Sequence, residues 1–167
     1  MFAVVITGPP GAGKTSVLTA LTGALSDDDI PHAAVEVETP VWTHPALSDE
    51  QWRRQLRLNC RLAHTLETDD DVAELLAAVD ADDTVLVRLE APPQTLVDRI
   101  VEREPASWSG LPGLVEHARE LATSMPDLTG AKLVLSTEGQ RPEEVAARIR
   151  AALPALVRPG GGGTLRT

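Results

Sequence analysis

The residues best suited to chemistry form one glycine-rich segment near the beginning of the sequence. They are Gly8, Pro9, Pro10, Gly11, Ala12, Gly13, Lys14, Thr15 and Ser16. The run GPPGAGKT fits the pattern G-x-x-x-x-G-K-[ST] without a mismatch. Glycines let backbone N–H groups converge on phosphate oxygens, a lysine here reaches the β- and γ-phosphates, and the next hydroxyl ligates Mg²⁺. The segment therefore predicts a loop that binds a nucleoside triphosphate, with Lys14 catalytic, Thr15 on the metal and Ser16 following.

Both flanks of this segment have the character that such a loop requires. The preceding residues 2–7 are a short apolar, β-branched run, typical of a buried strand. From Lys14 to about Leu25, apolar residues recur on one face of a helix, and the N-terminus of that helix adds partial positive charge for the phosphates. The alternative is a glycine-rich turn with a chance lysine. It is weakened because the sequence contains only two lysines, Lys14 and Lys132.

Other features narrow the ligand and the class of protein. There is no N-K-x-D or T-K-x-D guanine motif and no LSGGQ-like segment of an ABC-type ATPase, so ATP is the expected nucleotide. The net charge of −10 disfavours nucleic acid and anionic membranes as partners. No stretch approaches the roughly 18–20 apolar residues of a membrane helix, and the lone Cys60 allows no internal disulfide. We expect a cytoplasmic protein.

The elements that must position this loop alternate between strands and helices. Further strands are predicted at residues 32–38, 84–89 and 132–136. Further helices are predicted at about 48–66, 69–79, 94–104 and 114–122, and from 142 onward. Such alternation is typical of a parallel sheet covered by helices on both faces. We therefore expect a three-layer α/β fold in a single domain, residues 1–158, with a flexible glycine-rich tail at 159–167.

Two later segments, together with the loop, make the sequence similar to a known family. GPPGAGKTS, LEAPPQTLVDRIVERE and VLSTEGQRPEEVAARI resemble the small P-loop kinases of the nucleoside-monophosphate, gluconate, shikimate and adenylylsulfate kinase type, over about residues 1–153. The resemblance implies a P-loop NTPase fold with a parallel sheet of four to five strands, and a mobile lid that supplies arginines to the transferring phosphoryl group. Arg99 and Arg103 match those arginines. Thr137 and Gly139 match the loop that passes beside the adenine ring.

Arg99, Arg103 and Trp108 each have a second interpretation. The two arginines are four residues apart beside glutamates, which is also typical of a solvated helix face with surface ion pairs. We favour Arg103 slightly as the nucleotide contact because it is closer to the predicted loop at 105–112. Trp108 in that loop either stacks on a ligand or anchors the loop against the core.

Acidic residues at strand ends are candidates for the metal and the acceptor. Glu38, which faces the same side as Glu36 at the end of the second predicted strand, matches the family position that holds Mg²⁺ or orients the acceptor hydroxyl. Glu90 ends the third strand, and there we favour an acidic strand end facing water. The arginines within 53–61 lie where the family binds its acceptor, although such runs more often form a solvated helix face.

One departure from the family pattern concerns the strand beside the loop. The family has a strand there that ends in an acidic Walker B residue, yet residues 65–83 contain no apolar β-branched run of strand length. Either the strand at 32–38 takes that place, or the sheet is one strand short. We expect an ATP-dependent phosphotransferase that acts on a small-molecule acceptor. The alternative is a nucleotide-binding regulatory protein or weak NTPase with a protein partner.

Overall fold

The computed structural model describes residues 2–32, 34, 68–78, 81–125 and 128–156, which form eight regular elements. In chain order these are β1 (Phe2–Thr7), α1 (Lys14–Asp27), α2 (Asp69–Ala78), β2 (Asp83–Glu90), α3 (Pro93–Arg103), α4 (Leu111–Ser124), β3 (Leu133–Ser136) and α5 (Pro142–Leu156). No helix among the described residues has the length and hydropathy needed to cross a membrane.

The described strands form one parallel sheet in the order β1-β2-β3. Phe2 is in register with Asp83 and Thr7 with Arg88, while Glu90 is in register with Ser136. The carboxyl ends of all three strands therefore lie at one edge of the sheet. The glycine-rich segment leaves β1 at this edge, which is where open α/β sheets bind their ligands.

Helices cover both faces of the sheet. On one face, alternate residues of β2 join a core cluster with side chains of α1, α3, α4 and α5; the β2 members are Val85, Val87 and Leu89. On the other face, Leu86 packs with Val72 of α2. This arrangement explains why the middle of β2, residues 85–87, is continuously apolar, since a parallel strand buried on both faces has few solvent-facing positions.

Local signals at helix starts agree with the sequence. Pro93 and Pro142 begin α3 and α5, where a missing N–H group costs nothing. Thr68 and Asp71 form a reciprocal capping box at α2: the Thr68 N–H bonds to Asp71 Oδ2 at 2.9 Å, and the Asp71 N–H bonds to Thr68 Oγ1 at 3.2 Å. Thr68, the residue before the helix, is thus the cap of α2.

The predicted α/β class and the parallel sheet are confirmed, and the number of strands is confirmed in part. The strands predicted at 2–7, 84–89 and 132–136 are present within one residue at each end. The described residues contain three strands instead of the four to five predicted, and in this part of the chain β1 has a neighbour on one side only. Most of the strand predicted at 32–38, the helix at 48–66 and the tail at 159–167 lie outside the described residues.

Candidate functional site

The segment between β1 and α1 follows a path that requires glycine at two positions. Gly8 has φ 152° and Gly11 has φ 82°, both in the range that side chains rarely adopt. A Cβ on Gly8 would lie 2.5 Å from the Leu89 carbonyl oxygen, and one on Gly11 would lie 2.7 Å from the Leu96 carbonyl oxygen. The loop is therefore held against the end of β2 and the first turn of α3.

Helix α1 begins directly after the loop with its N-terminal N–H groups uncapped by a side chain. Its N-cap is Gly13, and its first turn contains no acidic residue. Thr15 and Ser16 are exposed in that first turn. A helix end of this kind carries partial positive charge and backbone donors that suit an anion such as a phosphate group.

The Lys14 side chain folds back across the loop. Its ammonium donates to the Gly8 carbonyl oxygen at 2.9 Å and to the Pro9 carbonyl oxygen at 3.3 Å. The ammonium is thus placed beside the loop backbone, on the residues predicted to surround the phosphates. These carbonyls are neutral, so a phosphate oxygen would be a stronger partner for the same charge.

Arg99 joins the loop to the end of β3. Its Nη1 donates to the Gly11 carbonyl oxygen at 3.2 Å and to Thr137 Oγ1 at 2.9 Å, and its Nη2 donates to the Thr137 carbonyl oxygen at 2.9 Å. We call these contacts the Arg99 bridge. Thr137 is only 4% exposed, and its N–H bonds to the Glu90 carbonyl oxygen at 2.8 Å. Three segments therefore meet at the carboxyl edge of the sheet.

Arg103 lies outside this group of contacts. Its side chain is 61% exposed, and its Nε donates to Oε1 of the adjacent Glu104 at 2.7 Å. No described contact links it to the loop at 8–13. Of the two arginines, the structure thus brings Arg99 and not Arg103 to the glycine-rich loop, where Arg99 holds backbone segments together. The contact of either arginine with a nucleotide stays a prediction.

The segment between α3 and α4 is built from turns. The Trp108 N–H bonds to the Pro105 carbonyl oxygen at 2.9 Å, and the Leu111 N–H bonds to the Trp108 carbonyl oxygen at 3.1 Å. The indole ring covers Gly110, where a Cβ would lie 2.4 Å from the ring. The side chain is still 44% exposed, so Trp108 both anchors the turn and presents an aromatic surface.

The remaining predicted site residues are divided between the described and undescribed parts of the chain. Gly139 lies with Thr137 in the turn after β3, at the same edge as the glycine-rich loop. Glu38, predicted for the metal and the acceptor, lies outside the described residues, as do Glu36 and the arginines within 53–61. Within the described residues no group of three or more His, Cys, Asp or Glu side chains could hold a metal ion.

Arg88 is a polar residue of this edge that sequence reasoning missed. It lies in β2 and is only 7% exposed. Its Nη1 donates to the Met125 carbonyl oxygen at 2.6 Å, and its Nη2 lies 3.5 Å from Glu90 Oε2. The available signal was a charged residue in the apolar run TVLVRL, a position that needs a partner when the strand is buried.

Comparisons with known proteins show similarity only at the level of solved structures. No protein-family model matches the chain, and no curated protein matches it significantly. A "putative kinase" from Chloroflexus aurantiacus aligns at 19% identity and TM-score 0.47, covering 93% of this chain and 97% of that one. A sugar kinase from Janibacter sp. HTCC2649 aligns at 20% identity and TM-score 0.45, covering 95% of this chain and 99% of that one.

Proposed function

We propose that this chain binds ATP with Mg²⁺ through residues 8–16 and transfers the γ-phosphoryl group to a small-molecule acceptor. The observation that carries the proposal is the conjunction of the glycine loop, the uncapped N-terminus of α1 and the Lys14 ammonium 2.9 Å from the Gly8 carbonyl oxygen. These groups supply backbone donors, a helix dipole and a full positive charge at one place. That combination matches the phosphates of a nucleotide better than it matches a neutral ligand.

In the proposed reaction an acceptor hydroxyl attacks the γ-phosphorus, the bond from that phosphorus to the β–γ bridging oxygen breaks, and ADP leaves. The hydroxyl proton passes to a base, for which Glu38 is our candidate. Lys14 and the loop N–H groups would hold the β- and γ-phosphate oxygens in line, which is the main work of the protein in phosphoryl transfer. Mg²⁺, when bound, would neutralise charge on these oxygens, with Thr15 as a protein ligand.

A second candidate function is nucleotide binding without transfer, as in a regulatory protein. It is favoured by the positions of the two arginines, because Arg99 donates to Gly11 and Thr137 while Arg103 pairs with Glu104 at the surface. In this conformation Arg99 reaches the glycine-rich loop but donates to protein oxygens, and Arg103 lies away from the loop. Transfer would require rearrangement of this region when ligands bind.

Two lysines allow a matched test of nucleotide binding. Lys14→Ala removes the loop ammonium, whereas Lys132→Ala removes one that bonds to Thr84 near the amino ends of the strands. We expect Lys14→Ala to weaken binding of ATP with Mg²⁺ by about a hundredfold, and Lys132→Ala to leave it within about twofold. Equal affinities for the wild type and Lys14→Ala, measured by calorimetry, would show that the loop is not the nucleotide site.

Transfer is tested by the stimulation of ATP consumption by an acceptor. The panel contains nucleosides, nucleotides, sugars and aminoglycoside-like alcohols, each assayed for ADP formation with the wild type and Lys14→Ala. One acceptor that raises turnover in the wild type alone would establish a kinase. Lys14-dependent ATP binding with no stimulation by any acceptor would favour the regulatory function instead.

A further inference from the structure

One face of the sheet changes character toward the carboxyl edge. Residues in register on neighbouring parallel strands point to the same face, so Thr7 lies beside Arg88, and Glu90 lies beside Ser136. Further down this face, the Leu86 side chain is apolar and packs with α2. The carboxyl end of the face is therefore a polar cluster, made of Thr7, Arg88, Glu90 and Ser136, in an otherwise apolar layer.

The buried guanidinium of Arg88 is only partly satisfied within this cluster. Nη1 has a short hydrogen bond to the Met125 carbonyl oxygen, at 2.6 Å. Nη2 has an ion contact of 3.5 Å to Glu90 Oε2, and Nε has no hydrogen-bond partner among the described residues. Leaving a buried donor of a charged group unpaired destabilises the protein, so an unpaired donor of this kind indicates a missing partner.

The unpaired Nε and the Nη2 that contacts Glu90 share one edge of the guanidinium. The Nε–H group and the nearer N–H of Nη2 point in the same direction and form the fork that binds a carboxylate or phosphate with two parallel hydrogen bonds. The Met125 carbonyl occupies the opposite end of the group. The fork of Arg88 faces the side where Glu90 lies, and the Glu90 carboxylate is 46% exposed and reaches solvent.

The Arg88 fork lies near the start of the glycine-rich loop. Leu89 lies between Arg88 and Glu90, and its carbonyl oxygen is the atom that a Cβ on Gly8 would meet at 2.5 Å. Arg88 is in register with Thr7, the residue that precedes Gly8. The loop predicted to hold the phosphates thus begins directly after Thr7, the β1 residue in register with Arg88.

We propose that the Nε–Nη2 edge of Arg88 binds an oxyanion, a carboxylate or phosphate group carried by the phosphoryl acceptor, and that Glu90 is the counter-ion that this group displaces. The identification of the ligand as the acceptor rests on the proposed function, whereas the anion site itself does not. Displacement would leave the Glu90 carboxylate at the carboxyl edge of β2 without its arginine partner. The Nε–Nη2 edge of Arg88 therefore favours acceptors that carry an anionic group over neutral acceptors.

The Nε–H proton of Arg88 can be followed directly by ¹H–¹⁵N NMR, with Arg88→Lys used to assign its signal. Inorganic phosphate and acetate are titrated separately into Lys14→Ala, in which the loop ammonium cannot hold the anion. We expect saturable movement of the Arg88 Nε–H signal, with phosphate favouring a phosphorylated acceptor and acetate a carboxylated one. A signal that neither anion moves would overturn the proposal.

The Glu90→Gln substitution distinguishes an anion-binding site at Arg88 from a simple internal ion pair between Arg88 and Glu90. This substitution removes the competing carboxylate from a half-exposed position, so the variant is expected to fold. The proposal requires anion affinity to rise, by about tenfold, whereas an internal ion pair predicts unchanged or weaker binding and a less stable protein. Because nucleotide binding is measured separately, loss of the anion site and failure of the proposed ATP site give different results.

Discussion

Replacing Arg99 tests whether the Arg99 bridge holds the loop in place. Arg99→Met keeps most of the aliphatic stem but removes donors that reach Gly11 and Thr137 at 2.9–3.2 Å. A hydrogen bond from a charged donor contributes about 1.5–3 kcal/mol net, and bonds that share one group are not additive. Because Arg99 is half-buried and the Thr137 oxygens would lose a partner, we expect a loss of about 2–3 kcal/mol in the free energy of unfolding.

Arg103 provides the matched control for this substitution. It has the same side chain and lies one turn further along α3, but its contact among the described residues is with Glu104 at the surface. Exposed ion pairs contribute about 0–1 kcal/mol, so Arg103→Met should change the free energy of unfolding by no more than about 0.5 kcal/mol.

Urea denaturation of the wild type and both variants measures these differences. Thr137→Val, alone and combined with Arg99→Met, gives the interaction energy through a double-mutant cycle, and we expect about 1 kcal/mol because Val removes only the Oγ1 acceptor. If Arg99→Met costs no more than Arg103→Met, or if the cycle gives no interaction energy, the Arg99 bridge does not stabilise the protein as argued.

Two further predictions concern the loop and acid stability. Gly8→Ala should destabilise by about 3 kcal/mol or more, since its Cβ would overlap the Leu89 carbonyl, whereas Gly13→Ala has open space and should cost about 1–2 kcal/mol of backbone strain; equal losses in urea denaturation would contradict this. Hydrogen bonds from the Thr129 hydroxyl and N–H lower the pKa of Asp69 below its ordinary 3.8, so its stabilising effect is complete above 3.8 and is lost as pH falls through the lowered value. Asp69→Asn should make the free energy of unfolding less dependent on pH below 3.8. An unchanged dependence of this free energy on pH would refute the prediction.

The strands and helix starts were predictable because their signals are local. Continuous apolar runs of strand length indicated β1 and β2, and a proline marked the first turn of α5. The pairing order was not local information, since Phe2 of β1 is in register with Asp83 of β2, 81 positions further along the chain (83 − 2). The interior position of Arg88 was missed for the same reason, because its partners come from other elements.

The candidate site divides in the same way. The residues from Gly8 to Lys14 are adjacent in sequence, so their residue types alone predict the loop, and the two crowded glycines give its path a steric reason. Arg99 and Thr137 could be named as candidates, but their contact could not, because it joins segments 38 residues apart. The structure therefore adds a bridge between backbone segments to the two candidates, and their contact with a nucleotide stays a prediction.

The Arg99 bridge has a consequence for the order in which parts of the protein reach their folded conformation. It joins Gly11 to a side chain 88 residues later and to Thr137 beyond that. Contacts of such large sequence separation form late, because long loops must close before they contribute. When the whole glycine-rich motif has been synthesised, the nascent chain therefore still lacks the groups that hold this motif. They are in place only after β3 has docked onto the sheet. The motif is synthesised before β3, but its supported conformation is reached only once β3 is in place.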